Sequence, residues 1–246
     1  MANAHALLMD QRAAMMGGKT LPYLRKVAYL ESNGSQWIDT GVVPTLRDTI
    51  FCKFNFFDSN FRTGAFGCYT NITQDGVFVR VYNPNSKIEP AFMSISMGQA
   101  GMTFVNVVSA DNEIELSHGR AVMNGVEVTA GKINRNPSLP LYLFTMNYNG
   151  SPQLLSHVRV YSFRLVRDGA DVVNYNPVLD LSGRQAMYDD VSGRFLYNQG
   201  TGDDFAYGEL SQLGGYNRQC VRRSYRRLAR PSARFCAHSQ EWEVAA

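Results

Sequence analysis

Lysine, histidine and long apolar runs are all scarce in this chain of 246 residues. Only five lysines and four histidines occur, and just 18% of the residues are charged. The histidines (His5, His118, His157, His238) lie far apart in sequence. The four cysteines (Cys52, Cys68, Cys220, Cys236) form no C-x-x-C pair and have no histidine at ligand spacing, so they read as free thiols rather than a zinc site. No stretch approaches the roughly 18 apolar residues that a membrane helix needs. The first residues, MANAHALLMD, lack a positive n-region, and Asp10 stops the apolar run, so no export signal is expected. Such a chain is expected to be made in a cytoplasm and to leave it by assembly or lysis. No Gly-x-Ser-x-Gly elbow is present, and GMTFVNVVSA contains no phosphate-binding glycine loop. No long helical period appears, which argues against a parallel α/β sheet.

What the chain has instead is aromatic residues and alternation. Fourteen phenylalanines and thirteen tyrosines favour strands. In TIFCKFNF, Ile50, Cys52, Phe54 and Phe56 share one face while Lys53 and Asn55 share the other. GVFVRVY and NEIELS alternate in the same way. AVMNGVEV carries Asn124-Gly125 between two runs, a hairpin signal because both residues tolerate positive φ. In HVRVYSFRLV, Val158 and Val160 fall out of step with Phe163 and Leu165, which predicts a bulge near Tyr161. About a dozen short strands, separated by Gly, Asn, Asp and Pro clusters, predict an antiparallel sandwich or barrel.

The two ends differ from the body. Residues 3–16 read as a short helix, capped by Asn3, ended by Gly17-Gly18, and needing something to pack on. The net charge of +3 is asymmetric: residues 211–246 hold seven arginines and two glutamates, a balance of +5, which leaves about −2 for the rest. If residues 218–230 are helical, Val221, Tyr225 and Leu228 align on one stripe and Pro231 ends the helix. The chain thus divides into a leader (1–20), a sandwich (21–210) and an arginine-rich arm (211–246).

Several motifs carry a family likeness. YLESNGSQWIDTG (residues 29–41) and MYDDVSGRFLYNQGTGDDF (residues 187–205) resemble the two ends of laminin-G-like, concanavalin-A-like jelly-roll domains. MNGVEVTAG (residues 123–131) resembles their mid-domain hairpin. LYLFTMNYNG and VRVYSFRLVRDGADVVNYNPVLD resemble their late strands. The likeness covers roughly residues 27–208. Such domains are common in phage and prophage virion proteins, and the leader, with RAAMMGGKTLPY, also resembles leaders on phage-encoded members. The resemblance implies an all-β, two-sheet jelly-roll sandwich, here with a short N-terminal helix and a basic C-terminal arm. The arm has no counterpart in that pattern.

The acid-rich stretch near residue 190 has two readings. A calcium loop needs oxygen ligands at alternating positions converging on one ion. Asp189 and Asp190 are adjacent, so an extended chain points them opposite ways, and Asp203 and Asp204 repeat the problem. Val191-Ser192-Gly193 supplies what a tight turn wants. The turn is the favoured reading; calcium held by Asp189, Asp190, Asp203 and Asp204 stays open as the minority one.

Catalysis has less support. Retaining glycoside hydrolysis needs two carboxyls about 5 to 5.5 Å apart. Glu113 and Glu115 share a strand face, but Ser117 and His118 follow where a third acid would be expected, and a solvated outer face explains both glutamates. No catalytic residues and no cofactor are assigned. Sugar binding needs flat aromatic faces flanked by polar groups; Trp37, Tyr69, Tyr82 and Tyr148 are the candidates. Arg218, Arg222, Arg223, Arg226, Arg227, Arg230 and Arg234 are candidates for contact with a partner or with nucleic acid. A free tail ranks first for them, a partner protein second and nucleic acid third. The expectation is a non-catalytic, lectin-like virion surface component. Its partners would be other virion subunits, within an oligomer or larger assembly, and a host-surface glycan. A purely structural decoration protein and a glycoside hydrolase are the alternatives.

Overall fold

The computed structural model describes residues 21–57, 63–71, 75–82, 87–94 and 109–209. The chain divides into two compact units, Met1–Leu210 and Ser211–Ala246. The helix expected over residues 3–16 and the arginine arm both lie outside the described residues.

Among the described residues there are eighteen strands and no helix. In chain order they are β1 (Arg25–Lys26), β2 (Tyr29–Asn33), β3 (Ile38–Asp39), β4 (Asp48–Phe56), β5 (Thr63–Asn71), β6 (Asp75–Tyr82), β7 (Lys87–Phe92), β8 (Asn112–Ser117) and β9 (Arg120–Met123). There follow β10 (Val126–Thr129), β11 (Tyr142–Leu143), β12 (Met146–Tyr148), β13 (Ser151–Gln153), β14 (His157–Arg167), β15 (Ala170–Leu179), β16 (Gln185–Asp189), β17 (Phe195–Leu196) and β18 (Ala206–Gly208). The excess over a dozen comes from strands of two or three residues, too short to leave a period of their own.

Two sheets result. The larger runs β10-β9-β8-β4-β14-β15-β16-β17, with β2 also on β14, β18 on β2 and β1 on β15. The smaller runs β13-β12-β5-β11-β3, with β6 on β5 and β7 on β6. Alternation decides which side chains lie between them. Ile50, Cys52, Phe54 and Phe56 of β4 are buried, as are Val158, Val160, Phe163 and Leu165 of β14. The two halves of β14 keep the same inward face because the register with β4 shifts between Val160 and Ser162, where the bulge was expected. Phe66 of β5 meets Phe163 of β14 edge to face at 5.3 Å, and Phe163 stacks on Tyr175 at 5.8 Å. The first contact ties the small sheet to the large one, and the second extends it across the large sheet.

The turns follow their residues. Asn124 (φ 51) and Gly125 (φ 81) both take positive φ and join β9 to β10 as a two-residue hairpin. One pairing departs from the antiparallel expectation: β12 runs parallel to β5, with Asn147 opposite Cys68 and Tyr148 opposite Tyr69. The chain leaves β11 antiparallel to β5 and reverses through Phe144 at φ 65. It then re-enters beside the same strand in the opposite sense. Nothing in LYLFTMNYNG signals that reversal, because a phenylalanine at positive φ is an uncommon turn residue.

Candidate functional site

The outer face of the small sheet gathers aromatic side chains. Cys68 points into the core between the sheets, so Tyr69 points away from it. Tyr148, directly across from Tyr69, shares its side. The two rings lie 4.9 Å apart, tilted by 33°. Tyr69 is 8% exposed and Tyr148 is 40% exposed. Beneath them Phe78, Ala91 and Met146 form a small buried cluster with Leu154 against it. Tyr148 is therefore an accessible ring backed by a buried one.

The hairpin that presents Tyr148 is well pinned. Asn149 (φ 49) and Gly150 (φ 88) make the turn from β12 to β13. The buried Asn147 accepts from the Gly150 amide at 2.7 Å and donates to the Pro140 carbonyl at 2.9 Å. Thr145 Oγ1 donates to the Gln153 carbonyl at 2.7 Å. Each bond to a buried group resists loosening, because breaking it strands a desolvated partner.

Tyr69 also lines a cleft of about 200 Å³ with Thr70, Met93, Arg135, Asn136 and Ser138. The lining mixes an aromatic wall with an exposed guanidinium, an amide and hydroxyls. Cys68 forms part of the floor; burial pushes its thiol up to about 12, so it stays protonated and inert. Among the described lining residues no side chain carries a carboxyl or an imidazole. The cleft can hold polar groups and one flat apolar surface.

Trp37, the third candidate, belongs to the same face. It stacks on Tyr142 at 4.6 Å with an interplanar angle of 29°. Tyr142 is opposite Gly67 on one side and Asp39 on the other, and it donates to the Gly150 carbonyl at 3.4 Å. Burial, then the nearby Asp39 charge, raises the Tyr142 hydroxyl above the usual phenol range. The Asn198–Gly202 turn holds Trp37 from behind. Its backbone amide donates to Asn198 Oδ1 at 3.2 Å, and the Gln199 amide donates to the Trp37 carbonyl at 2.9 Å. Tyr82 ends β6 with its backbone paired to Lys87, and its side chain lies outside what is described.

The acid-rich stretch folds as turns. Asp189 is buried, and both its carboxylate oxygens are occupied. Oδ1 accepts from the amides of Asn174 at 2.9 Å and Val191 at 3.1 Å. Oδ2 accepts from Ser192 Oγ at 2.6 Å. Asp190 instead accepts from Asn176 Nδ2 at 2.8 Å, and Asp204 pairs with Arg184 at 3.3 Å. The backbone carbonyl of Asp203, not its carboxylate, takes the Gln36 amide at 3.1 Å. The carboxylates of Asp189, Asp190 and Asp204 thus serve separate partners. Among the described residues no group of three or more His, Cys, Asp or Glu side chains is placed to hold a metal ion.

Glu113 and Glu115 stand on the outer face of the large sheet. Glu113 pairs with Lys53 at 3.1 Å. Glu115 pairs with Arg120 at 2.5 Å, and Arg120 also reaches Glu127 at 3.0 Å. Both are half-solvated surface pairs.

Compared with known proteins, the chain matches no family model, no curated protein and no solved structure. The site therefore has to be read from its own chemistry.

One constellation escaped the sequence. On the outer face of the large sheet Glu31 accepts from His157 Nε2 at 2.9 Å and Arg159 Nε at 2.6 Å. The Arg159 guanidinium lies 4.3 Å from the Tyr29 ring centre and 4.5 Å from that of Phe57. Burial pushes the Glu31 carboxyl up, but the bonds from His157 and Arg159 outweigh it and hold the group below the usual range. The only local signal was alternation, which puts Glu31 on the outer face of β2 and Arg159 on that of β14. Their pairing is a matter of register. The cluster clamps β2 to β14. The seven arginines of the arm lie outside the described residues.

Proposed function

We propose that this chain is a non-catalytic, lectin-like recognition module on a jelly-roll sandwich, with carbohydrate as its ligand. The observation that carries the reading is the exposed Tyr148 ring seated on the buried Tyr69 beside the polar-lined cleft. A sugar ring has one apolar C–H face and a rim of hydroxyls. An aromatic ring stacks on the face, amide and hydroxyl groups exchange hydrogen bonds with the rim, and a guanidinium donates to it. The buried backing ring fixes Tyr148 before binding, which lowers the ordering cost that weak ligands cannot meet. The wider setting is a virion or virion-like particle, with the chain joined to other subunits through its terminal segments. That part rests on the sequence resemblance and on the basic arm.

The test is a glycan array probed with the full chain, followed by Tyr148→Ala. Saturable binding that falls with the substitution supports the module. No glycan signal, together with co-purification with particles, favours the decoration protein. Release of reducing ends from a polysaccharide, lost on Glu113→Gln or Glu115→Gln, favours the hydrolase.

A further inference from the structure

The small sheet carries two backed aromatic platforms, not one. Strand pairing places both on the same side. Tyr148 is opposite Tyr69, and Tyr142 is opposite Gly67, two residues away on β5. Residues two apart on a strand share a face, and so do direct cross-strand partners. Asp39 is opposite Tyr142, and Trp37 precedes Asp39 by two. Trp37, Asp39, Tyr142, Tyr148 and Tyr69 therefore share the outer face. The stacking of Trp37 on Tyr142 agrees with that assignment.

Each platform has the same construction. A more exposed ring rests on a nearly buried one: Tyr148 on Tyr69 (8%), and Trp37 on Tyr142 (5%). The Tyr142 hydroxyl bonds the carbonyl of Gly150, in the turn that presents Tyr148. The two platforms are thereby fixed relative to each other. Ile38 is level with residue 66 of β5, so Trp37, the residue before it, extrapolates to the level of residue 65, while Tyr148 is level with residue 69. Four residues at strand rise is about 13 Å, with about 5 Å more across the strands. Asp39, half-buried between them, offers a carboxylate oxygen; its Oδ1 already accepts from the Gly41 amide at 2.8 Å.

We infer that the ligand is an extended, linear run of several sugar units lying across both platforms, rather than a single terminal sugar. The inference rests on the carbohydrate reading above. One hexose covers one ring. A chain covering both gains the second contact without a second loss of translational freedom, so affinity rises with chain length until both platforms are occupied. Asp39 then accepts from hydroxyls of the intervening unit.

The experiment titrates the full chain with linear oligosaccharides of one to six units, drawn from neutral hexose, hexosamine and uronic acid series. Wild type, Trp37→Ala, Trp37→Tyr and Tyr148→Ala are compared, each first checked for a cooperative thermal transition. The expected result is about tenfold tighter binding for four units than for one. Trp37→Ala should abolish that gain, and Trp37→Tyr should restore it. Length-independent binding, or a length gain unchanged in Trp37→Ala, overturns the two-platform inference and leaves the Tyr148 site standing. If Trp37→Ala does not fold, Trp37→Tyr and Tyr148→Ala decide: the first must keep the gain and the second must lose it, and the reverse overturns the inference. Binding of no oligosaccharide in any series overturns the carbohydrate reading itself.

Discussion

Arg167 grips Asp48 with two parallel bonds, Nε to Oδ1 at 2.7 Å and Nη2 to Oδ2 at 2.9 Å. The two residues are cross-strand partners at the end of the β4–β14 pair. The Asp48 side chain is wholly buried, and its oxygens also take the Thr45 amide at 2.7 Å and the Thr45 hydroxyl at 3.0 Å. Removing the guanidinium leaves a buried charge short of its main partner. Arg167→Met is predicted to cost about 3–5 kcal/mol, read from urea unfolding. Asp48→Asn in the Arg167→Met background should recover part of that loss, because the stranded charge is gone. An Arg167→Met cost below 1 kcal/mol would contradict the buried clamp.

The Glu31 clamp makes stability depend on pH in one direction. Its carboxyl is held below the ordinary value in the folded chain, so the unfolded chain binds the proton more readily. The contribution is therefore complete above about pH 5 and is lost as pH falls through the folded-state value. Glu31→Gln should flatten the acid limb of a stability-versus-pH curve. An acid limb of unchanged slope in the variant would show that other carboxylates set it.

Gly200 sits where no side chain fits. A Cβ there would fall on the Ser35 carbonyl oxygen and lie 2.9 Å from Trp37 Cδ1. Gly200→Ala must push the 198–202 turn off Trp37, at a cost of about 1–3 kcal/mol. Gly125, on an open hairpin turn with nothing near its Cβ position, gives the contrast. Gly125→Asn should be nearly neutral because asparagine tolerates positive φ. Thermal melting of the pair checks both.

Asp189 tests the turn against calcium. With both oxygens on amides and a hydroxyl, millimolar calcium should leave Tm unchanged, since a ligand that binds only the folded state must raise it. Asp189→Ala should lower stability by about 2 kcal/mol through the unpaired amides. A calcium-dependent rise in Tm would reverse the assignment.

Much of the scaffold was legible along the chain. Alternation placed Ile50, Cys52, Phe54 and Phe56 inward, Asn124-Gly125 marked a hairpin, and the phase slip around Tyr161 marked a bulge. Val191-Ser192-Gly193 turned as expected, with Gly193 at φ 72. These are local facts, decided within a few residues. The site was only half legible. Tyr69 and Tyr148 could each be named, but their meeting depends on a parallel register across 79 positions and on a reversal at Phe144. Tyr142 went unremarked because a buried backing ring looks like any core aromatic. Asp48–Arg167 and Glu31–Arg159 were missed for the same reason: a cross-strand ion pair is set by register, which alternation alone leaves free.

The most direct measurement is the affinity of the full chain for an array-selected oligosaccharide, compared between wild type and Tyr148→Ala. Tyr148 is 40% exposed, so its loss should shift Tm by no more than about 2 °C. The account predicts at least tenfold weaker binding at that nearly unchanged Tm. Equal affinity in the two proteins, or no saccharide bound by either, would contradict it.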